Sequence, residues 1–313
     1  MRTYYDAYYL SSWLEDPVKA TLQLDYGWRP KVDDPRWTYG HLRAEAQISL
    51  IRCAIADVDL DDALHAVIGK LMNESALYRR LELTAPLTRY VMQPEALITS
   101  IVAWADWAYD SWRERIDSGA KVDVERKWQK PWQWGGAERP RMVLCGSFDV
   151  VIGYGSGVDT NVDTVLELKA TSGAVDEELL RRYRNSVQSR LYQMALVGTG
   201  AEIEYDIWSV GSKRSGYAPR FYPPTPHRPT EPQLVETWEL LRATADQLLT
   251  WQSQDMTWAS EFPRLPVPWR GDGRKYGDIW QQLWSLPYPE REDFVEQHFE
   301  RRLPWDPMVG PQD

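Results

Sequence analysis

The residues best equipped for chemistry are Asp149, Glu167 and Lys169, which lie in two apolar segments, GSFDVV and VLELKA. Side chains alternate faces along an extended segment, so residues two apart share a side. Glu167 and Lys169 therefore share one face while Leu166 and Leu168 turn into the opposite layer, and Asp149 is expected on one face with Ser147 and Val151. The glycine-bearing connection 153–161 can return the chain so that the two segments pair as strands, and Asp149 and Glu167 then converge. Two carboxylates brought together repel, and a cation between them relieves the repulsion. Hard oxygen ligands select Mg2+ or Mn2+, ions that retain several waters and also bind phosphate. Such an ion polarises a phosphate ester and lowers the pKa of a bound water, while the Lys169 ammonium orients that water or neutralises developing charge. A lone Glu-x-Lys is a weak signal, because an edge strand with both side chains in water produces the same tripeptide.

The elements that must position these residues follow from hydrophobic periodicity. The first third reads as helical over 4–24, 37–58, 60–82 and 95–117, with Ile48, Ile51, Ile55 and Val58, then Leu97, Ile101, Trp104, Ala108 and Trp112, as apolar stripes. From 121 the pattern changes to strands, VDVERKW, RMVLCGSFDVVIGY and TVLELKA, separated by turn-rich stretches. A helix is predicted over 176–197, then a strand IEYDIWSV. The proline-rich segment 223–232 reads as a connector through which no helix can run, and Leu234, Trp238, Leu241, Ala245 and Leu248 mark a long amphipathic helix after it. The fold class expected is α/β, a mixed central β-sheet flanked by helices, with helical N-terminal and C-terminal additions. The divisions expected are a helical part over 1–120, a core over 121–222, and a Pro- and Trp-rich linker, long helix and cap over 223–313, packed as one compact unit.

Composition narrows the partners. Lys and Arg total 36 against 46 Asp and Glu, a net charge of −10, which disfavours broad adhesion to nucleic acid. Local charge runs the other way: Lys121, Arg126, Lys127, Lys130, Arg139 and Arg141 form one basic cluster, and Arg181, Arg182, Arg184 and Arg190 another. Either is also what a solvated element face looks like. The 17 Trp and 17 Tyr are mostly packing residues, and exposed ones offer stacking platforms for unpaired bases. Cys53 and Cys145 are the only cysteines, so no disulfide framework, structural zinc site or four-thiolate iron-sulfur cluster arises from this chain alone. No apolar run of about eighteen residues and no signal-like N-terminus is present, and a cytoplasmic location without membrane contact is expected.

Gln188 and Tyr192 lie four apart on the helix that follows, and so share one of its faces, with Arg184 a turn earlier. The order GSFDVV, VLELKA, QSRLY resembles the Asp, E-x-K and Q-x-x-x-Y motifs of the PD-(D/E)XK nuclease superfamily in its RecB-like exonuclease branch. VERKWQKPW resembles that family's lead-in strand, in which Glu125 is structural. The resemblance covers 121–197 and implies a restriction-endonuclease-like core and a Mg2+- or Mn2+-dependent DNA exonuclease of recombination, repair or phage DNA processing. By the same resemblance Asp149, Glu167 and the backbone carbonyl of Leu168 bind metal, Lys169 serves the water, Gln188 and Tyr192 hold DNA and the catalytic strand, and Arg181, Arg182, Arg184 and Arg190 contact DNA. The family's first motif is a His or Glu on an early helix, for which His41 and Glu45 are the candidates. The tail, EFPR then KYGDIWQQLW, resembles the C-terminal segment of iron-sulfur members, but Trp269, Trp280 and Trp284 stand near the cysteine positions, so no iron-sulfur cluster is expected. The partners implied are single-stranded DNA or duplex ends, with a homo-oligomer or a recombination or repair protein beside them. Two alternatives stay open: a nuclease-derived subunit that binds DNA or protein without cutting, and a sequence-specific restriction endonuclease.

Overall fold

The computed structural model describes residues 4–31, 35–73, 94–132, 142–153, 162–171, 175–197, 201–209, 219–253 and 279–307. The chain divides into two compact units that interleave along the sequence: Met1–Val32, Gln129–Gly146 and Glu231–Asp313 in one, Asp33–Trp128 and Ser147–Thr230 in the other.

The first unit opens with strand β1 (Tyr4–Tyr5), helices α1 (Ala7–Glu15) and α2 (Pro17–Ala20), a π-helical turn (Thr21–Asp25) and strand β2 (Trp28–Pro30). The single helix expected over 4–24 is thus divided, and the sequence shows why. Asp16 accepts from the backbone N–H groups of Val18 and Lys19, and Pro17 fits the first turn because it has no N–H to leave unpaired. Gly27 is required where it stands: its φ is +77°, and a Cβ there would lie 1.9 Å from the Arg302 carbonyl oxygen.

The second unit carries the candidate site. Helices α3 (Pro35–Ile55), α4 (Leu60–Asn73) and α5 (Pro94–Asp117) precede strands β3 (Lys121–Trp132), β4 (Met142–Gly153) and β5 (Val162–Thr171), of which β3 and β4 begin or end in the other unit. Helices α6 (Glu177–Arg184) and α7 (Val187–Leu196) follow, then strands β6 (Glu202–Ser209) and β7 (Arg220–His227). The helix expected over 176–197 is two, because the Ser186 side chain accepts from Ser189 N–H and starts a new helix. The sheet is mixed: β4 and β5 pair antiparallel, β5 and β6 parallel, and β6 and β7 antiparallel. Its one face packs Val150, Ile152, Leu166, Leu168 and Trp208 against Ile51, Ile101, Trp104 and Ala105 of the long helices. Its other face packs Val151, Val165, Ile203, Tyr205 and Ile207 with Tyr192 and Leu196 of α7.

One expectation fails in an instructive place. Residues 223–227, read as a linker, belong to β7, and α8 (Glu231–Gln252) already begins at 231. In the described sheet order β7 stands at the edge, where proline's missing N–H breaks no inner ladder. The remaining elements, α9 (Ile279–Ser285), α10 (Tyr288–His298) and β8 (Phe299–Arg301), lie in the first unit, where β8 pairs antiparallel with β2. Trp280 is buried there edge-on to Phe299. Trp269, the side chain of Trp284, Arg139 and Arg141 lie outside the described residues. Among the described residues no helix is long and apolar enough to cross a membrane.

Candidate active site

Strict alternation is broken in both strands that lead into the site. Val122 and Val124 of β3 pack on the long-helix face, whereas Trp128, of the same parity, packs on the α7 face. Between them Glu125 has φ +54°, the left-handed geometry of a bulge, and its carboxylate takes Arg52 Nη2 at 2.5 Å. On β4 Phe148 joins Val151 on the α7 face, although parity would send it with Val150. Trp128 stacks on Phe148 and meets Tyr192 edge-on, so the two slips together build the aromatic floor beneath α7.

The recorded β4–β5 pairing ends at Val150↔Leu166. Just beyond it, Asp149 Oδ2 accepts the backbone N–H of Leu168 at 2.8 Å, so a side chain takes a donor that the ladder no longer uses. Glu167, only 3 % exposed, and Lys169 share a face as the alternation predicts, and Lys169 Nζ donates to Glu167 Oε1 at 2.5 Å. Lys169 Nζ donates also to Gln188 Oε1 at 2.7 Å, and Gln188 Nε2 donates to the same Glu167 oxygen at 2.6 Å and to Tyr192 Oη at 3.0 Å. Tyr192 Oη in turn donates to the Ser147 carbonyl at 2.7 Å. The four-residue spacing on α7 is what lets Gln188 and Tyr192 reach one chain of hydrogen bonds running from β5 back to β4.

Charge in the site is tightly coupled. Burial, and then the neighbouring Glu167 charge, push the Asp149 carboxyl up to about 7, against the pull of Lys169, the Leu168 N–H and Arg43. Burial pulls the Lys169 ammonium down, but the charges of Glu167 and Asp149 outweigh it and its pKa is raised. Burial and the same two carboxylates hold the Tyr192 phenol well above its ordinary range. Glu167 Oε2 is buried without a hydrogen-bond partner.

The contribution from α3 differs from the expectation. Glu45 bonds Lys70 Nζ at 2.7 Å, and His41 is exposed. The residue that reaches β5 is Arg43: Nη2 lies 3.3 Å from the Leu168 carbonyl, and Nη1 lies 3.3 Å from that of Lys169 and 2.5 Å from Gln47 Oε1. Helical geometry explains the exchange, because positions 41 and 45 project nearly opposite to 43 and cannot face β5 with it. Arg43 is buried and its guanidinium lies 5.4 Å from the Trp208 ring centroid. The signal was present in the sequence: Arg43 and Gln47 interrupt the apolar stripe Tyr39, Ala46, Leu50, Ala54. The structure therefore brings together Asp149, Glu167, Lys169, Gln188 and Tyr192 and does not bring His41 or Glu45 to them. Of the arginines, Arg181 and Arg182 are exposed, Arg184 pairs with Glu177 at 3.5 Å, and Arg190 Nε reaches the Asn185 carbonyl at 3.4 Å.

The residues fit a divalent cation in part. Asp149 and Glu167 supply two carboxylates, and Glu167 Oε2 is an orphaned acceptor, but the Leu168 carbonyl already faces the Arg43 guanidinium. Compared with known proteins, the sequence matches no family model and no curated protein.

Proposed function

We propose that this chain is a Mg2+- or Mn2+-dependent DNA nuclease of the PD-(D/E)XK type, most simply an exonuclease, built on a restriction-endonuclease-like core. The observation that carries the reading is the continuous chain from Lys169 through Glu167 and Gln188 to Tyr192, next to Asp149, in residues whose order along the sequence resembles that superfamily. A cation held by Asp149 and Glu167 would supply Lewis-acid polarisation of the scissile phosphate and a nucleophilic water at neutral pH. Lys169, anchored by Glu167 and Gln188, presents a positive charge beside the carboxylates, where it steadies an attacking water or the negative charge that accumulates on phosphorus-bound oxygen. Gln188 fixes the direction of both side chains, and Tyr192 ties that amide to the backbone of Ser147. Arg181 and Arg182, exposed on α6, are suited to backbone phosphates.

Lys169→Ala should abolish metal-dependent cleavage of end-labelled linear DNA while circular dichroism still reports a folded chain. Undiminished cleavage would refute the assignment.

A second reading has one observation in its favour. Lys169 and Arg43 already set two positive charges against Asp149 and Glu167, so the carboxylates are not left to a metal alone. A binding subunit descended from a nuclease would look the same. Calorimetric titration with Mn2+ separates the two: a nuclease shows a site lost in Glu167→Gln, and a binding subunit shows none.

A further inference from the structure

On the long-helix face of the sheet, the face away from Glu167, α5 and strands β5, β6 and β7 enclose a cavity of about 220 Å3. Trp107, Trp112 and Arg115 line it from the helix, and Leu166, Asp206 and Pro224 from the strands. Trp107, Ser111 and Arg115 recur at the four-residue spacing of one helical face, with Trp112 at its side. Asp206 is 3 % exposed, and although the Arg43 charge and the Trp104 indole N–H act on its carboxyl, its Oδ1 makes no full hydrogen bond, a costly state for a buried acceptor. An N–H donor entering the cavity would relieve it.

The other walls say what kind of donor fits. Trp112 is buried and Trp107 is 43 % exposed, stacked on Phe221, so the cavity offers indole surface at its side and at its opening. Indole surface takes flat rings. Arg115, its guanidinium 5.3 Å from the Trp112 ring centroid, favours an anionic substituent over a cation. The volume falls below the range of about 300–1,000 Å3 usual for drug-sized ligands, so a single base fills it and any sugar and phosphate stay outside. Among bases, guanine presents two adjacent donors, the ring N1–H and the exocyclic amine, matched to a carboxylate. Adenine and cytosine set an acceptor beside their amine, which an ionised Asp206 repels.

We propose that this cavity binds the base of a guanine nucleotide, with its donor edge on Asp206, its ring against Trp107 and Trp112, and its phosphate near Arg115. The site does not depend on the nuclease reading, because none of its residues belongs to the Asp149 cluster. The guanine can come from a free nucleotide or from an unpaired base in a DNA strand.

Calorimetry of the full chain in chelator, with GMP as the probe, tests the proposal without engaging the carboxylate pair. Saturable GMP binding is expected, with AMP weaker by at least about tenfold. Trp107→Ala and Asp206→Asn should each weaken GMP by about tenfold or more. Trp107 is 43 % exposed, so its variant reports on the site even where Asp206→Asn fails to fold. Competition by an oligothymidylate carrying one guanine, but not by oligothymidylate alone, assigns the base to a strand; no competition by either assigns a free nucleotide. Absence of GMP binding at millimolar concentration, equal binding of AMP, or unchanged binding by Trp107→Ala would each overturn the proposal.

Discussion

Replacing Asp149 by Asn should make the metal-free protein more stable at pH 8 while removing cleavage. Asparagine keeps an oxygen that can accept the Leu168 N–H, so the backbone contact at 2.8 Å survives the change. What disappears is an acid that holds its proton more tightly in the folded chain, with its pKa moved from 3.8 to about 7. Such a group lowers stability as pH rises from its unfolded pKa through its folded one, since the native state must surrender a proton that it favours. The displacement of about 3 units corresponds to roughly 4 kcal/mol at pH 8 and, because only about 1 unit has been traversed by pH 5, to less than half of that there. Asp149 is half-buried, and solvent screening reduces the contrast between the two pH values to about 1–2 kcal/mol. Urea unfolding of parent and variant in chelator, at both pH values, measures it directly. The variant's advantage should be larger at pH 8, and excess Mn2+ should reverse the order by stabilising the parent alone. A variant that is less stable than the parent at pH 8, or whose advantage is the same at pH 5, would refute the account of the site as a strained carboxylate pair.

Three further outcomes are expected. Arg43→Met removes a buried guanidinium from the Leu168 and Lys169 carbonyls and from Gln47, and should cost about 3–5 kcal/mol in urea unfolding; a loss under about 1 kcal/mol would show that α3 does not hold β5. Gly27→Ala must accommodate both a positive φ and a collision with the Arg302 carbonyl, so it should lower stability by about 2 kcal/mol or more, read as a drop in Tm; an unchanged Tm would contradict the turn geometry. Tyr192→Phe loses the donor to Ser147 and the acceptor for Gln188, and should cost about 1 kcal/mol of stability and a larger factor in single-turnover cleavage; cleavage at the parent rate would detach Tyr192 from the site.

Much of the site could be read from the sequence because its constraints are local. Glu167 and Lys169 share a face by the period of a strand, and Gln188 and Tyr192 by the turn of a helix, so spacing alone orders each pair. The long helices and the strands around 121–210 announced themselves by apolar repeats for the same reason. Tertiary structure decided what local periods do not contain. The strand 220–227 is hidden in a proline-rich run, since only its place at the sheet edge makes three prolines tolerable. The slips at Glu125 and Phe148 send Trp128 and Phe148 across the sheet, against the parity of their own strands. The choice of Arg43 over His41 and Glu45 was settled by which face of α3 lies on β5. Two-residue and four-residue spacings fix directions relative to an element's own axis, whereas the rotation of that element against its neighbour comes from packing between segments more than a hundred residues apart, such as Arg43 and Leu168.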